Sequence, residues 1–342
     1  MHLISIIKKY FFLLLVICST QSFAQFRLSG TIKNYTGQAE LKINIPLIYG
    51  FDEANSIKIP VKKNGSFSVT LPVKDQKFGD LIFQQNFHLI LLGAGKSLKV
   101  ELSDKGFKLI AGNALPENNA LMSVNVNEYP FFLQNDAAYT SLSLEALDQK
   151  LVKPYFAMRD KKIAAVKQSA INAKDKKLII SELTAATYNN LYELIQFDQY
   201  KEKLEQLVIN VFDKADLKPG IFPAGPQYYL FANNYLWYKQ TKSWLKVKAQ
   251  NIKPNQLVPD YGITVAEAEG FNTKYGPQYI RWLGATRFLP GPVVEQLGYQ
   301  YISDAVKSNR SLLAKTIGQE YIKKFPKGMY KKDVQTKLAG LK

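Results

Sequence analysis

Residues 56–73, "SIKIPVKKNGSFSVTLPV", decide the fold class of the N-terminal part of the chain. Apolar and polar side chains alternate on both sides of a central Asn64-Gly65 pair, which is the pattern of half-buried β-strands. An Asn-Gly pair supplies the positive-φ residues that a tight two-residue turn needs. The inward-facing positions would be Ile57, Ile59, Val61, Phe67, Val69 and Leu71. The stretch therefore predicts an antiparallel hairpin with one buried face.

The same period-2 alternation continues on both sides of this stretch, from residue 26 to Gly112. It is clear in "AELKINIPLI" (39–48) and in "FHLILLGAGKSLKVEL" (87–102), which we interpret as a second hairpin turning near Gly93–Lys96. "GAGKS" resembles the end of a phosphate-binding loop, but a strand rather than a helix follows it, so a turn is predicted. Several short strands without a helical period between them predict an antiparallel β-sandwich over residues 25–113.

After Gly112 the apolar residues recur with the period of a helix. In residues 175–200, "DKKLIISELTAATYNNLYELIQFDQY", one helical face carries Ile180, Leu183, Thr187, Leu191 and Leu194. Short connections rich in proline and glycine predict antiparallel helical neighbours. The sequence thus predicts an α+β chain, with the sandwich followed by an all-α helical-hairpin domain over residues 114–342.

Residues 1–24 have the pattern of a secretory signal peptide. Lys8 and Lys9 precede the apolar run "YFFLLLVIC" (10–18), which is too short to cross a bilayer as a helix. Ser22 and Ala24 are small residues that fit a cleavage site, so Gln25 would begin the mature chain. The alternative is a lipoprotein anchored at Cys18, although Ile17 stands where a small residue is expected. Either way we expect an exported protein, periplasmic in the first case.

Composition excludes several kinds of chemistry for the mature chain. Cys18 is the one cysteine, so cleavage after Ala24 leaves neither disulfide nor thiolate chemistry. His88 is the one histidine after the leader, inside an apolar strand, and is predicted to be a packed or edge residue rather than a metal ligand. We predict no cofactor. No later apolar run reaches membrane-spanning length, so no transmembrane segment is predicted in the mature chain.

The formal net charge of +17 comes from lysines scattered along the whole chain. Scattered charge is typical of a solvated surface and does not predict a nucleic-acid site. An anionic polymer of the cell envelope, or an envelope protein, remains an open partner. The oligomeric state stays open as well.

The richest feature is a concentration of aromatic residues in two predicted helices. Aromatic rings can bind sugars or anchor a protein partner, but they fill a helical core equally well. Buried amides need hydrogen-bond partners, so two asparagines within the first helix would either cap a neighbouring loop or face a pocket. The candidate partner-binding or ligand-binding residues are Tyr228, Tyr229, Asn233, Asn234, Trp237, Tyr238 and Trp282.

Carboxylates offer an alternative function, hydrolysis by a pair of Asp or Glu residues that converge in a cleft. Glu182, Glu193, Asp198 and Glu202 are available in the predicted helices. Their spacing is typical of solvated helix faces, so we do not assign a catalytic residue.

Four segments resemble the N-terminal module of exported thioredoxin-like proteins of Bacteroidetes. They are "FRLSGTIKN" (26–34), "KKNGSFSVTLPV" (62–73), "GKSLKVEL" (95–102) and "FKLIAGNALPENNAL" (107–121). The matching positions are Gly30, Gly65, Phe67, Gly95, Leu98, Val100, Gly112, Asn118 and Leu121. The final "EYIKKFPKGMYKKDVQTKLAGLK" (320–342) is similar to the segment that precedes the thioredoxin domain in that family.

The resemblance implies a protein without the redox part of the family. There the chemistry belongs to a C-terminal thioredoxin domain with a CxxC motif, whereas the present sequence ends at Lys342. We therefore expect an exported, non-catalytic binding or assembly module of the cell envelope, with a groove near residues 112–121. The alternative is a carboxylate-dependent hydrolase that acts on envelope or extracellular polymers.

Overall fold

The structure, a computed structural model, describes residues 25–37, 39–46, 53–134, 137–196, 201–215 and 224–341. The predicted leader, with Ala24 and Cys18, lies outside these ranges. Gln25, the predicted first mature residue, is exposed, and its carbonyl accepts the Gly95 N–H at 2.9 Å. The predicted α+β class is confirmed, since strands fill the N-terminal part and helices follow.

The strands of the described residues form two four-stranded sheets. Sheet A has the order β4-β1-β7-β8, and sheet B has the order β3-β2-β5-β6. The strands are β1 (Phe26–Ile32), β2 (Leu41–Asn44), β3 (Ser56–Lys58), β4 (Ser66–Leu71), β5 (Lys77–Phe83), β6 (Asn86–Leu92), β7 (Ser97–Ser103) and β8 (Gly106–Ala111). Alternate residues of both sheets meet in one hydrophobic core, as in a β-sandwich; Leu28, Ile43, Ile90 and Val100 are fully buried there.

The strand partners differ from the predicted ones in three places. β1 pairs with β7 in parallel, so sheet A is mixed rather than antiparallel. β3 pairs with β2 and β4 with β1, so the predicted hairpin around Asn64-Gly65 is reduced to a Val61–Phe67 bridge and a turn in which Lys62 N–H donates to the Ser66 carbonyl at 2.9 Å. The Gly93–Lys96 turn joins sheet B to sheet A instead of closing a hairpin. Alternation shows which face of a strand is buried, but it does not show which sheet the strand joins.

The hairpin of β5 and β6 was not predicted from the sequence. β5 and β6 are joined by Gln84 and Gln85, both at positive φ (49° and 66°), with Phe83 paired to Asn86. Positive φ at both central residues is the conformation of a type I′ turn, for which Asn-Gly is the usual sequence. Because Gln84 and Gln85 are not residues typical of this turn, the sequence did not predict it.

The helices begin just after the last strand. They are α1 (Leu115–Val124), α2 (Phe131–Gln134), α3 (Ala137–Thr140), α4 (Leu144–Leu147), α5 (Lys153–Gln168), α6 (Ala173–Tyr192), α7 (Lys201–Asp213), α8 (Pro226–Ala249), α9 (Val265–Tyr275), α10 (Pro277–Phe288), α11 (Gly291–Lys307), α12 (Ser311–Lys324) and α13 (Lys331–Ala339). A π-helical turn, Asp148–Val152, lies between α4 and α5. Among the described residues, none of these helices combines the length and apolar character needed to cross a membrane.

The chain divides into two compact units. The sandwich unit comprises residues up to Val126 together with Lys162–Ile180, and the helical unit comprises Asn127–Lys161 and Ser181–Lys342. The sandwich unit thus includes α1 and the adjoining ends of α5 and α6, beyond the predicted boundary at residue 113.

A buried ion cluster holds these helical pieces to the sandwich core. Lys96 Nζ lies 2.5 Å from Glu117 Oε1 on α1 and 3.4 Å from Asp175 Oδ2 at the start of α6. Both carboxylates are almost fully buried. Lys96 of "GAGKS" therefore forms ion pairs with two internal carboxylates. The turn is followed by strand β7, as predicted.

Candidate functional site

The predicted candidate residues lie inside the helical unit, mostly on α8. Tyr228 and Tyr229 are almost fully buried (0% and 2% exposed), and the ring of Tyr228 packs against that of Phe231 at 6.4 Å. Burial raises the pKa of Tyr229. Both rings therefore present little surface to a partner.

The two asparagines of α8 form hydrogen bonds with neighbouring helices. The Asn233 side-chain oxygen accepts the Tyr301 hydroxyl of α11 at 2.7 Å. Asn234 is buried and donates to the Asn189 side chain of α6 at 3.0 Å. Both amides thus have partners on neighbouring helices. The sequence had suggested either a cap on a neighbouring loop or a pocket, and this arrangement is neither of the two.

The remaining candidates also pack within the helical unit. Trp237 is half-buried against the Tyr192 ring at 5.0 Å, and the buried Tyr238 donates its hydroxyl to Asp213. Trp282 of α10 is 1% exposed, and its indole N–H donates to Glu320 Oε2 at 2.6 Å. Burial leaves five of the seven candidates less than one-tenth exposed, so they do not line an accessible aromatic groove.

The prediction that the helical carboxylates lie on solvated faces is wrong for Glu182. Glu182 is fully buried on α6 and accepts backbone N–H groups of Gln227 (2.7 Å) and Tyr228 (3.1 Å) at the start of α8. A carboxylate at a helix N-terminus satisfies N–H groups that have no partner within the helix. Glu193 and Glu202 are exposed as predicted, and Asp198 lies outside the described residues.

His88 is packed, as predicted. Its ring stacks on Phe107 at 4.8 Å, and burial lowers its pKa. Among the described residues, no group of three His, Cys, Asp or Glu side chains is arranged to hold a metal ion.

Burial changes the titration of Asp80, in the middle of β5. Desolvation raises the pKa of Asp80 to about 6, above the value of about 3.9 for an unfolded chain. Since the folded state holds this proton more tightly, the contribution of Asp80 to stability is greatest below about pH 4 and is lost as the pH rises through about 6.

Replacing Asp80 by asparagine should therefore increase stability at pH 7 by about 2–3 kcal/mol and leave it nearly unchanged below pH 4. Urea unfolding measured from pH 3.5 to pH 8 tests this. The exposed Asp104→Asn variant removes the same charge at the surface and controls for the change in net charge. Parallel profiles for wild type and Asp80→Asn would contradict it.

A cavity of about 710 Å³ opens elsewhere in the helical unit. Its walls come from α4, the π-helical turn, α5, α6 and α7. Apolar and aromatic side chains make up half of the lining: Leu144, Val152, Phe156, Ala157, Tyr188, Leu207 and Val211. Ligand sites typically measure about 300–1,000 Å³ and combine apolar walls with a few polar groups, so this cavity has the dimensions of one.

Local sequence explains how the cavity is built. Ser143 caps α4 by accepting the Ala146 N–H at 3.2 Å. The π-helical turn that follows contributes Asp148 and Val152 to the wall and ends where Lys153 N–H reaches the Asp148 carbonyl. π-Helical turns are rare and occur frequently at functional sites, because the extra residue changes the direction of the side chains that follow.

Charged side chains of both signs surround the apolar wall. Arg159 is 7% exposed, its guanidinium lies 4.4 Å above the Phe156 ring, and it donates to Asp160 Oδ1 from Nε (2.9 Å) and Nη2 (2.8 Å). At the start of α5, Lys153 pairs with Asp148 at 3.3 Å. Glu145 and Lys214 complete the charged lining. The cavity can thus accept both anionic and cationic groups of one ligand.

Sequence reasoning missed every residue of this cavity. Its lining spans residues 144–214 and comes together only when five separate elements pack. One signal was available: Arg159 follows Phe156 by three residues, a spacing that places an arginine over an aromatic ring on one helix face.

Comparison with known proteins finds no family model that matches the chain and no match among curated proteins.

Proposed function

We propose that the protein is a non-catalytic binding module that acts outside the cytoplasm, related to the non-redox part of exported thioredoxin-like proteins. The observation that supports it is the cavity of about 710 Å³ with Arg159 stacked on Phe156. A guanidinium on an aromatic ring is a rigid donor of hydrogen bonds to carboxylates. The charges of both signs fit a segment of an envelope protein, since peptides carry both signs together with apolar side chains.

Site-specific photo-cross-linking in cells tests the proposal. A photoreactive residue at the exposed, cavity-lining Ala157 should capture one stoichiometric envelope protein, whereas the same residue at exposed Lys323 should not. Equal capture from both positions, or none from Ala157, would contradict a binding role for the cavity.

Charge reversal at the rim, Lys214→Glu, should reduce capture from position 157 about tenfold, because a partner carboxylate would meet repulsion where it now meets attraction. Lys214 is exposed, so the fold should be unaffected, which thermal unfolding checks. The Lys323→Glu variant changes the net charge equally and should capture like wild type. Arg159→Leu should reduce capture as well. This result is interpreted only if the unfolding midpoint of the variant equals that of the wild type.

The competing proposal is a carboxylate-dependent hydrolase, and Glu145, Asp148 and Asp160 line the same cavity. Asp148 and Asp160 each have a cationic partner, which favours a binding role over an acid–base pair. Turnover of a labelled envelope polymer that is lost in Asp160→Asn would favour the hydrolase instead.

A further inference from the structure

The outer face of sheet A is polar, and three of its cations follow a diagonal across the strands. Along β1, β7 and β8 the alternate residues that do not enter the core point outward, and Arg27, Lys99 and Lys108 are exposed there. Because these side chains stand on strands of one hydrogen-bonded sheet, their relative positions follow from the strand register.

The register places the three cations on one diagonal. Arg27 is level with Ser97 on β7, so Lys99 lies one strand across and two residues along. Lys108 on β8 is level with Glu101, so it lies one further strand across and two further residues along. With strands about 4.8 Å apart and about 3.3 Å per residue, neighbouring cations are roughly 8 Å apart.

Hydroxyl groups occupy the outward positions beside this diagonal. They come from β4, β1 and β7, and the register aligns them in rows: Thr70 with Arg27 and Ser97, Ser68 with Ser29, and Ser66 with Thr31. A Ser or Thr hydroxyl both donates and accepts, which is what recognition of sugar hydroxyls needs.

The charge of the face is mainly positive. Its carboxylate, Glu101, is paired with Lys33 at 2.8 Å. Among the described residues, no carboxylate lies within ion-pair distance of Arg27, Lys99 or Lys108. Cations without an internal partner are the ones that can attract an external anion.

We propose that the outer face of sheet A binds a linear anionic polysaccharide, with sugar carboxylates along the Arg27–Lys99–Lys108 diagonal and sugar hydroxyls on the serine and threonine rows. The residues of the diagonal and of the rows include no aromatic side chain, whereas binding of single-stranded nucleic acid relies on base stacking. Ile110 is the large apolar side chain exposed beside Lys108, which is too little for insertion into a lipid surface. The proposal does not depend on the cavity of the helical unit.

Affinity for alginate, a linear polyuronate, tests the proposal with the full mature chain. Wild-type protein should bind alginate but not neutral dextran at 50 mM NaCl, and 0.5 M NaCl should abolish binding because salt screens exposed charges. The triple variant R27Q/K99Q/K108Q should bind at least about tenfold more weakly, since three exposed ion pairs are lost. Thermal unfolding should be unchanged, because all three side chains are exposed.

A matched control separates the diagonal from net charge. K253Q/K323Q/K327Q removes three exposed cations from the helical unit and should bind alginate within twofold of wild type. A second variant, S68E, places a carboxylate on the hydroxyl rows and should also weaken binding. The proposal would be overturned if both triple variants lost equal affinity for alginate, or if the wild type did not bind alginate. Binding of oligothymidylate or of phosphatidylglycerol vesicles as tight as that of alginate would also overturn it.

Discussion

Replacing Asn118 by alanine should lower the free energy of unfolding of the sandwich unit by about 3 kcal/mol. The Asn118 side chain is 1% exposed, accepts the Leu91 N–H at 2.8 Å, and donates to the carbonyls of Leu91 (3.0 Å) and Ala114 (2.8 Å). Each buried backbone group left without a partner costs about 1–3 kcal/mol. Alanine removes all three hydrogen bonds and supplies none.

Asn113→Ala is the matched control, because Asn113 accepts the same kind of bond, from Ser97 N–H at 2.6 Å, at an exposed position. Water can replace that bond, so the loss should stay below about 1 kcal/mol. Urea unfolding, together with hydrogen exchange of the Leu91 amide, measures both effects. Equal losses in the two variants would mean that the buried amide contributes no more than a surface one.

The Asn118 contacts give a physical reason for an asparagine at this position. β6 is an edge strand of sheet B, and Asn118 takes both hydrogen bonds that a neighbouring strand would make with Leu91. Edge strands need such protection against pairing with other chains. Gly112 has φ +116°, and a Cβ there would lie 2.2 Å from the Ser97 carbonyl oxygen, which requires glycine.

The sequence predicted the buried faces of the strands but not their neighbours. Leu41, Ile43, Phe67 and Leu71 are all in the core, because alternation is a local property of each strand. The parallel β1–β7 pair depends on how distant segments pack, which a period-2 pattern does not encode.

The candidate site was less predictable for a related reason. Aromatic residues on α8 gave a strong signal, yet Phe231 and its neighbours fill the helical core, and aromatic content does not separate core from pocket. The sequence did not indicate the charged cavity, because Arg159 and Lys214 line it together only after their helices pack.

Replacing Trp282 by alanine should lower the free energy of unfolding by about 3–5 kcal/mol, the usual cost of removing a large buried aromatic side chain. The ring packs so closely on α11 that a Cβ at Gly298 would lie 2.6 Å from it, with Tyr321 also within contact of Gly298. Alanine leaves a cavity between three helices. It also removes the indole N–H that donates to Glu320, so that the Tyr279 hydroxyl is left as the donor to this carboxylate.

Two further variants separate packing from hydrogen bonding. Trp282→Phe keeps an aromatic ring but loses the indole N–H, so it should destabilise less than Trp282→Ala. Trp237→Ala removes a half-buried indole and should also cost less, because part of that ring already contacts water. Thermal and urea unfolding give the ranking. If Trp282→Ala kept the wild-type unfolding midpoint while partner capture was lost, Trp282 would be a binding residue, as its sequence context first indicated, and the core assignment would be wrong.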